Sequence, residues 1–146
     1  MFREAEAADF ASVMRLYGQL HPNDPVVAEE RAAATYDQIL RTPGMHLFVL
    51  EDAGEVVAST YLNLVPNLSR GAAPYGVVEN VIVDSARRRT GLGKAIMAGT
   101  LQAAWDAGCY KVMLLTGSKR ESTHAYYRAC GFDSGEKTGF VAHPPS

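Results

Sequence analysis

The stretch from Tyr75 to Thr116 constrains the fold of this chain more than any other. A β-rich run, Tyr75 to Asp84, leads through Arg87-Arg88-Arg89-Thr90-Gly91-Leu92-Gly93-Lys94 into a segment, about 91 to 107, whose Met97, Leu101, Ala104 and Trp105 follow helical spacing. Gly108 stands where that helix would stop, and a second apolar run, Lys111 to Thr116, follows it. Two strands joined by a helix of this length pair in parallel, and the twist of the strands makes the crossover right-handed. The chain is thereby committed to an α/β architecture.

The remaining elements are read around that unit. Val13, Leu16, Tyr17 and Leu20 form one apolar face of a first helix, with Asp9 placed to cap it. Asp24-Pro25 predicts the start of a second helix, with Tyr36, Ile39 and Leu40 as its stripe and Thr42-Pro43-Gly44 as its stop. Met45 to Glu51 and Val56 to Leu64 read as a hairpin turned at Asp52-Ala53-Gly54-Glu55. Pro66 to Pro74 has the composition of a loop. Glu121 to Cys130 predicts a short helix closed by Gly131, and Phe132 to Ala142 one or two final strands. No repeat or linker interrupts the chain, so residues 1–146 are expected to form a single domain. The predicted fold is a central mixed, mostly antiparallel sheet flanked by about four helices.

Charge and hydropathy narrow the function. Lys and Arg number 14 against 16 Asp and Glu, and the resulting formal charge of −2 supplies no global basic field for a polyanion. Nucleic-acid binding is not expected. The longest apolar runs fall far short of the ~20 residues a bilayer crossing needs, so no membrane span is predicted. Met1-Phe2-Arg3-Glu4-Ala5-Glu6 lacks the positive flank and apolar core of a secretory signal, which predicts a cytoplasmic protein. Cys109 and Cys130 make no Cys-x-x-Cys pair and read as reduced structural thiols. His21, His46 and His143 have no metal-site spacing, and no metal is expected.

Two segments carry candidate chemistry. Arg88 to Lys94 lies between a strand and a helix; its glycines allow close backbone approach, and the helix start offers N–H groups and a positive dipole end to an anion. It is neither of two common phosphate loops. The P-loop pattern fails at Arg88 and Ala95, and the dinucleotide pattern fails at Ile96, where a third glycine would stand. Taken alone, the same residues serve equally as a tight turn with solvated arginines. The second segment is Tyr126-Tyr127-Arg128-Ala129-Cys130-Gly131-Phe132. A phenol of pKa about 10 holds a proton at neutral pH and can pass it to a leaving group, although a lone tyrosine is also an ordinary packing residue.

Together and in this order, the two segments resemble the GNAT superfamily of acetyl-CoA-dependent N-acetyltransferases. Arg88-Arg89-Thr90-Gly91-Leu92-Gly93 matches its Arg/Gln-x-x-Gly-x-Gly/Ala loop, and Tyr127 to Phe132 matches its Tyr-x-x-x-Gly-Phe element. The resemblance implies a sheet splayed between the fourth and fifth strands with the coenzyme in the gap. It implies that Val81, Ile82 and Val83 offer backbone groups to the pantetheine arm, and that the amides of Arg88, Arg89, Thr90, Gly91, Leu92, Gly93 and Lys94 hold the pyrophosphate. Tyr127 matches the usual proton donor to the thiolate. The implied reaction moves an acetyl group from acetyl-CoA to a primary amine of a small molecule, by direct attack through a tetrahedral intermediate. A protein or peptide amino group as acceptor, or a CoA-binding sensor without turnover, are the alternatives.

An alkylammonium of pKa near 10 must lose a proton before it can attack. Glu79, on the strand before the loop, is the leading candidate base; by alternation it shares a face with Val81 and Val83, and it serves equally as a solvated strand residue. His124 is the second candidate. Arg120 stands where many similar proteins place an Asn for the pantetheine arm. Tyr61, Asn63, Asn67 and Arg70 either line the acceptor pocket or are ordinary sheet and loop residues. Glu79 to Val83 and Gly108 to Lys111 also look like the glucosamine-6-phosphate N-acetyltransferase branch, although that branch reads Glu-Asp where this chain has Glu79-Asn80. A homodimer through the final strands is common among similar proteins.

Overall fold

In the computed structural model, which describes residues 1–88 and 90–146, one sheet takes the strand order β1-β2-β3-β4-β5. The strands are β1 (Phe2–Glu4), β2 (Met45–Asp52), β3 (Glu55–Val65), β4 (Tyr75–Val83) and β5 (Val112–Met113). The first four pair antiparallel and β5 joins β4 in parallel, as the crossover helix requires. The helices are α1 (Phe10–Leu20), α2 (Glu29–Arg41), the four-residue α3 (Ser69–Ala72), α4 (Leu92–Asp106) and α5 (Glu121–Ala129). The chain divides into two compact units, residues 1–114 and 115–146, with α5 in the second. The α/β class and the mixed, mostly antiparallel sheet are as predicted. No described helix is long and apolar enough to cross a membrane.

Alternation along the strands sorts side chains to two faces of the sheet. Leu47, Val49, Val56 and Ile82 pack with Val13 and Leu16 of α1 and Tyr36 of α2. Leu50, Val57, Ala58 and Ile96 of α4 form the opposite cluster, with Phe2, Val83 and Leu92 against it. Where α4 crosses β3, the Thr60 and Thr100 hydroxyls share a buried hydrogen bond of 2.7 Å, and Thr100 Oγ1 also donates to Ile96 O. Both polar groups are therefore satisfied inside the core. Gly99 of α4 lies under the Phe2 ring, which would sit 2.6 Å from any added Cβ, so β1 can pack only against a glycine there.

The structure revises several predicted elements. Asp9 does precede α1, but its carboxylate makes no bond to that helix. It takes two hydrogen bonds from the Arg3 guanidinium, at 2.7 and 3.1 Å, and one from Glu6 N–H at 2.8 Å, holding β1 against a 3-10 turn at Ala7–Asp9. The second helix begins at Glu29 rather than at Asp24-Pro25, because residues 25–28 have no buried face and Val26 is fully exposed. Of the predicted strand Lys111 to Thr116, only Val112 and Met113 find a ladder partner. Among the described residues, 132 to 142 form no strand.

The Arg3–Asp9 pair carries a stability prediction. Asp9 is 8% exposed, and the Arg3 hydrogen bonds, aided by the Glu6 amide, hold its carboxyl below the usual carboxylate range. A depressed carboxyl contributes stability that is complete above its unfolded pKa of about 3.9 and is lost as the pH falls through the folded value. Asp9→Asn is expected to lower unfolding free energy by about 2 kcal/mol at pH 7, measured by urea denaturation. At pH 3 the gap between wild type and variant should narrow; a gap that is constant with pH would refute the ion-pair account.

Candidate active site

The strand β4 departs from regularity at two places. It pairs with β5 only at Gly76↔Val112 and Val77↔Met113, so from Val78 onward its edge has no β5 partner. Within the same stretch its register against β3 jumps from Ile82↔Ser59 to Glu79↔Tyr61, leaving Asn80 and Val81 opposite Thr60. This is a β-bulge, and Asn80 takes the left-handed conformation at φ 52°. Asparagine tolerates that region better than a branched residue, and here its side-chain amide also hydrogen-bonds the Tyr17 phenol of α1. Burial pushes that phenol up to about 12, so it stays protonated.

The bulge corrects one sequence expectation. An uninterrupted strand would put Glu79 on the face of Val81 and Val83, but the extra residue reverses the alternation. Glu79 lies opposite Tyr61 and shares the α1 face with Ile82, whereas Val83 packs toward α4. The Glu79 carboxylate is exposed, and among the described residues no ion pair engages it. Ile82 is buried, so any ligand contact of its own is confined to its main chain.

Beyond β4 the chain turns tightly into α4. Asp84 accepts from Ala86 N–H at 3.1 Å and from Arg15 at 2.9 Å, and Gln19 bonds both Asp84 and Ser85 N–H. Arg87 is tied to the β2–β3 turn through Asp52 and Glu55, at 2.7 and 3.1 Å. Arg87 is thus an anchor for the turn. Arg88 is exposed with its Nε bonded to Val83 O, Thr90 donates its hydroxyl to Arg87 O, and Arg89 lies outside the described residues. Gly91 then takes φ 83°, which only glycine adopts readily, and starts α4. The first bond of the helix ladder is Ala95 N–H to Gly91 O, so the amides of Leu92 and Lys94 precede it at the positive end of the helix dipole. No described atom lies within 4 Å of where a Gly91 side chain would begin, and Lys94 is exposed. The turn can receive an anionic diphosphate.

In the second unit, α5 ends in a motif that explains the spacing Tyr-x-x-x-Gly-Phe. Gly131 at φ 101° reverses the chain; its N–H bonds Arg128 O at 3.0 Å, and Phe132 N–H bonds Tyr127 O at 3.1 Å. These are the two bonds of a Schellman ending, whose usual apolar contact joins the same two side chains. Here the Tyr127 and Phe132 rings meet edge to face at 6.1 Å, and Tyr126 flanks Tyr127 at 5.0 Å. Burial raises the Tyr126 phenol above its ordinary value. His124 donates Nε2–H to Ser118 O at 2.7 Å, because a carbonyl can only accept. That hydrogen bond braces the turn before α5 and fixes the tautomer, leaving Nδ1 as the acceptor, so His124 stays beside Glu79 as a candidate base. Arg120 stands at the N-cap of the helix and is exposed.

The other sequence candidates separate. Asn67 spends its side-chain amide on Ser69, at 3.0 Å to its carbonyl, and braces the loop before β4. Tyr61, opposite Glu79, points its hydroxyl at Met45 Sδ. Arg70 lies over the Tyr110 ring at 5.9 Å, and Lys111 over Tyr75 and Tyr110 at 5.5 and 5.3 Å. The sequence singled out Tyr110 and Lys111 only as part of the segment Gly108 to Lys111; that they meet Tyr75 depends on how β5 lies beside β4. A polar cleft of about 490 Å³ beside Arg3, Arg15, Glu51 and Asp84 has both of its arginines ion-paired to its own acids, and reads as structural.

Comparison with known proteins gives a consistent picture. Residues 10–132 match the model of the acetyltransferase (GNAT) family. The chain is 31% identical over 137 residues to the glucosamine 6-phosphate N-acetyltransferase of Trypanosoma brucei brucei, covering 92% of this chain and 90% of that one. It is 26% identical over 144 residues to an aminoglycoside N(6')-acetyltransferase type 1 of Stenotrophomonas maltophilia, covering 97% and 92%. A solved structure provisionally assigned as an acetyltransferase, from Agrobacterium tumefaciens str. C58, superposes with a TM-score of 0.93 at 40% identity over 99% of both chains.

Proposed function

This chain belongs to the GNAT family of acetyltransferases, and from that premise we propose that it transfers the acetyl group of acetyl-CoA to the primary amine of a small molecule. The observation that carries the proposal is the junction of β4 and α4: a strand edge without a β5 partner running into a glycine turn and an open helix start. Peptide-like amides of a pantetheine arm suit the first, and a pyrophosphate suits the second. Acetyl-CoA, when bound, supplies a thioester carbonyl as the electrophile.

The chain's own groups have distinct tasks. Main-chain groups of Val81, Ile82 and Val83 line up the arm, and amides from Arg88 to Lys94, with the Arg88 and Lys94 charges, hold the phosphates. Fixing the donor in this way converts an encounter of two solutes into attack within one complex. Glu79 accepts the proton that the ammonium must lose, directly or through water. Tyr127 gives its phenolic proton to the departing sulfur and is restored, through solvent, by the second proton that the acylated nitrogen sheds; a thiolate of pKa about 8.5 leaves readily, and the transfer prevents its return. No group on the protein is acylated, so neither Cys109 nor Cys130 is needed as a nucleophile. Small-molecule acceptors are favoured over peptides because the similar full-length proteins act, by their names, on amino sugars and aminoglycosides.

The direct test is release of free thiol from acetyl-CoA with and without a panel of amines, alongside calorimetry of acetyl-CoA binding. Heat of binding together with amine-dependent release is the expected result. Binding with no release for any amine would leave a sensor domain, and peptide-only release would move the acceptor class to proteins.

A further inference from the structure

The bulge in β4 has a form that usually calls for glycine. In the common types the first bulged residue is either right-handed, which any residue accepts, or left-handed, where glycine is the rule. Asn80 holds that first place at φ 52°, with Val81 beside it opposite Thr60. A non-glycine residue gives up about a factor of ten in population to enter the left-handed region, and asparagine somewhat less. The presence of the bulge is pinned from both faces of the sheet. Ile82 is buried beneath α1 and Val83 packs toward α4, so removing the extra residue would turn both the wrong way. Its handedness is not pinned in this way, because a right-handed first residue keeps the same two-against-one count.

A contact from α1 acts on that handedness. The hydrogen bond between the Asn80 carboxamide and the Tyr17 phenol opposes the rise that burial imposes on the phenol, so the amide N–H donates and the phenolic oxygen accepts. Tyr17 is not free to follow a moving partner. Its ring packs against the buried cluster that includes Leu47, Val49 and Ile82, as does Tyr61. Arg15 and Gln19 of the same helix donate to Asp84 at 2.9 and 3.3 Å, and Ser85 N–H donates to Gln19 at 2.8 Å, which ties α1 to the far end of β4. One neutral hydrogen bond is worth about fivefold in an equilibrium, the same order as the left-handed penalty. The Tyr17 bond is therefore large enough to tip the balance.

What the handedness controls is the residue before it. Turning Asn80 from left- to right-handed rotates the peptide planes on both of its sides, and bulges re-aim the neighbouring side chain in this manner. Glu79 is that neighbour, opposite Tyr61 on the face that α1 covers. We infer that Tyr17 is a positioning residue: its phenol stands in for a missing glycine by holding Asn80 left-handed, and so aims the Glu79 carboxylate at the incoming amine. The aim of Glu79 rests on the acetyl-transfer reading, whereas the grip on Asn80 stands without it.

The test is a cycle of substitutions in the full chain, with Tyr17→Phe placed in three backgrounds: wild type, Asn80→Gly and Glu79→Gln. Thiol release from acetyl-CoA is followed with glucosamine 6-phosphate and with sisomicin, and NMR follows the intraresidue amide–Hα NOE of residue 80, which is strong only at positive φ. Against wild type, Tyr17→Phe should weaken the NOE and lower kcat about threefold, below the fivefold ceiling of one neutral bond, with the Kd for CoA unchanged as the sign of an intact fold. In Asn80→Gly the backbone needs no support, and in Glu79→Gln there is no carboxylate left to aim. Tyr17→Phe should therefore cost no further kcat in either. Equal losses in all three backgrounds would make Tyr17 an ordinary packing residue, and a loss that persists only with Glu79→Gln would show that it does not act through the carboxylate; either result overturns the inference, as does an unchanged NOE. Should neither amine release thiol from wild type, the acetyl-transfer reading fails for these acceptors, and the NOE still decides the grip: weakening in Tyr17→Phe supports it, and retention refutes it.

Discussion

Tyr127→Phe lowers kcat for thiol release by about 10²-fold and leaves the acetyl-CoA Kd within about twofold of wild type. The substitution is nearly isosteric. It keeps the edge-to-face contact with Phe132 and the contact with Tyr126, so the end of α5 stays as it is and only the hydroxyl is lost. The expected loss lies at the low end of what a general acid contributes, because a thiolate departs without much help; an alkoxide leaving group would suffer more. Steady-state rates at saturating amine, paired with calorimetry, make the measurement. An unchanged kcat with bound coenzyme would remove Tyr127 from the proton path, and a lost Kd with unchanged kcat would make it a binding residue.

Glu79→Gln is expected to cost a similar factor, about 10² in kcat at pH 7, with a distinct signature in pH. For an alkylamine acceptor of pKa near 10, almost wholly ammonium at neutral pH, a group that takes its proton matters most there. Raising the pH toward the amine's own pKa near 10 supplies free amine without help, and the deficit of the variant should shrink through pH 8 and 9. The sign follows from which partner needs the base. A deficit of equal size at every pH would mean that the carboxylate only grips the ammonium. Gln preserves shape and hydrogen bonding, and the side chain is exposed, so loss of fold does not cloud the comparison.

Much of this architecture is written locally and could be read from residue order. The crossover from β4 through α4 to β5, the hairpin whose turn takes positive φ at Ala53 and Gly54, and the ends of α4 and α5 all follow from short-range turn and capping chemistry. What escaped depends on partners distant in sequence. Three residues of β1 are too few to show a period, and they become a strand because Leu50, Val49 and Phe48 lie beside them. The apolar run after Lys111 looks like a longer strand, yet only two residues meet β4. The largest consequence comes from one residue. The bulge at Asn80 reverses the facing of Glu79, and its support, the Tyr17 phenol, sits 63 positions earlier in the chain. No pattern confined to β4 could announce it. Around the candidate site, Gly91 takes the positive φ that a tight turn into α4 requires, and Arg87, just before the candidate residues, proves to be an anchor.

The ending of α5 has an implication for how such a catalyst diversifies. The direction of the Tyr127 ring is set by Gly131 and Phe132, within five residues and inside the second unit. On the proposed mechanism a loop of the first unit such as 66–74 can be exchanged for new acceptors while the bonds that end α5 stay as they are. On that mechanism specificity and proton delivery are then separable parts, and a protein engineer could graft one while leaving the other untouched.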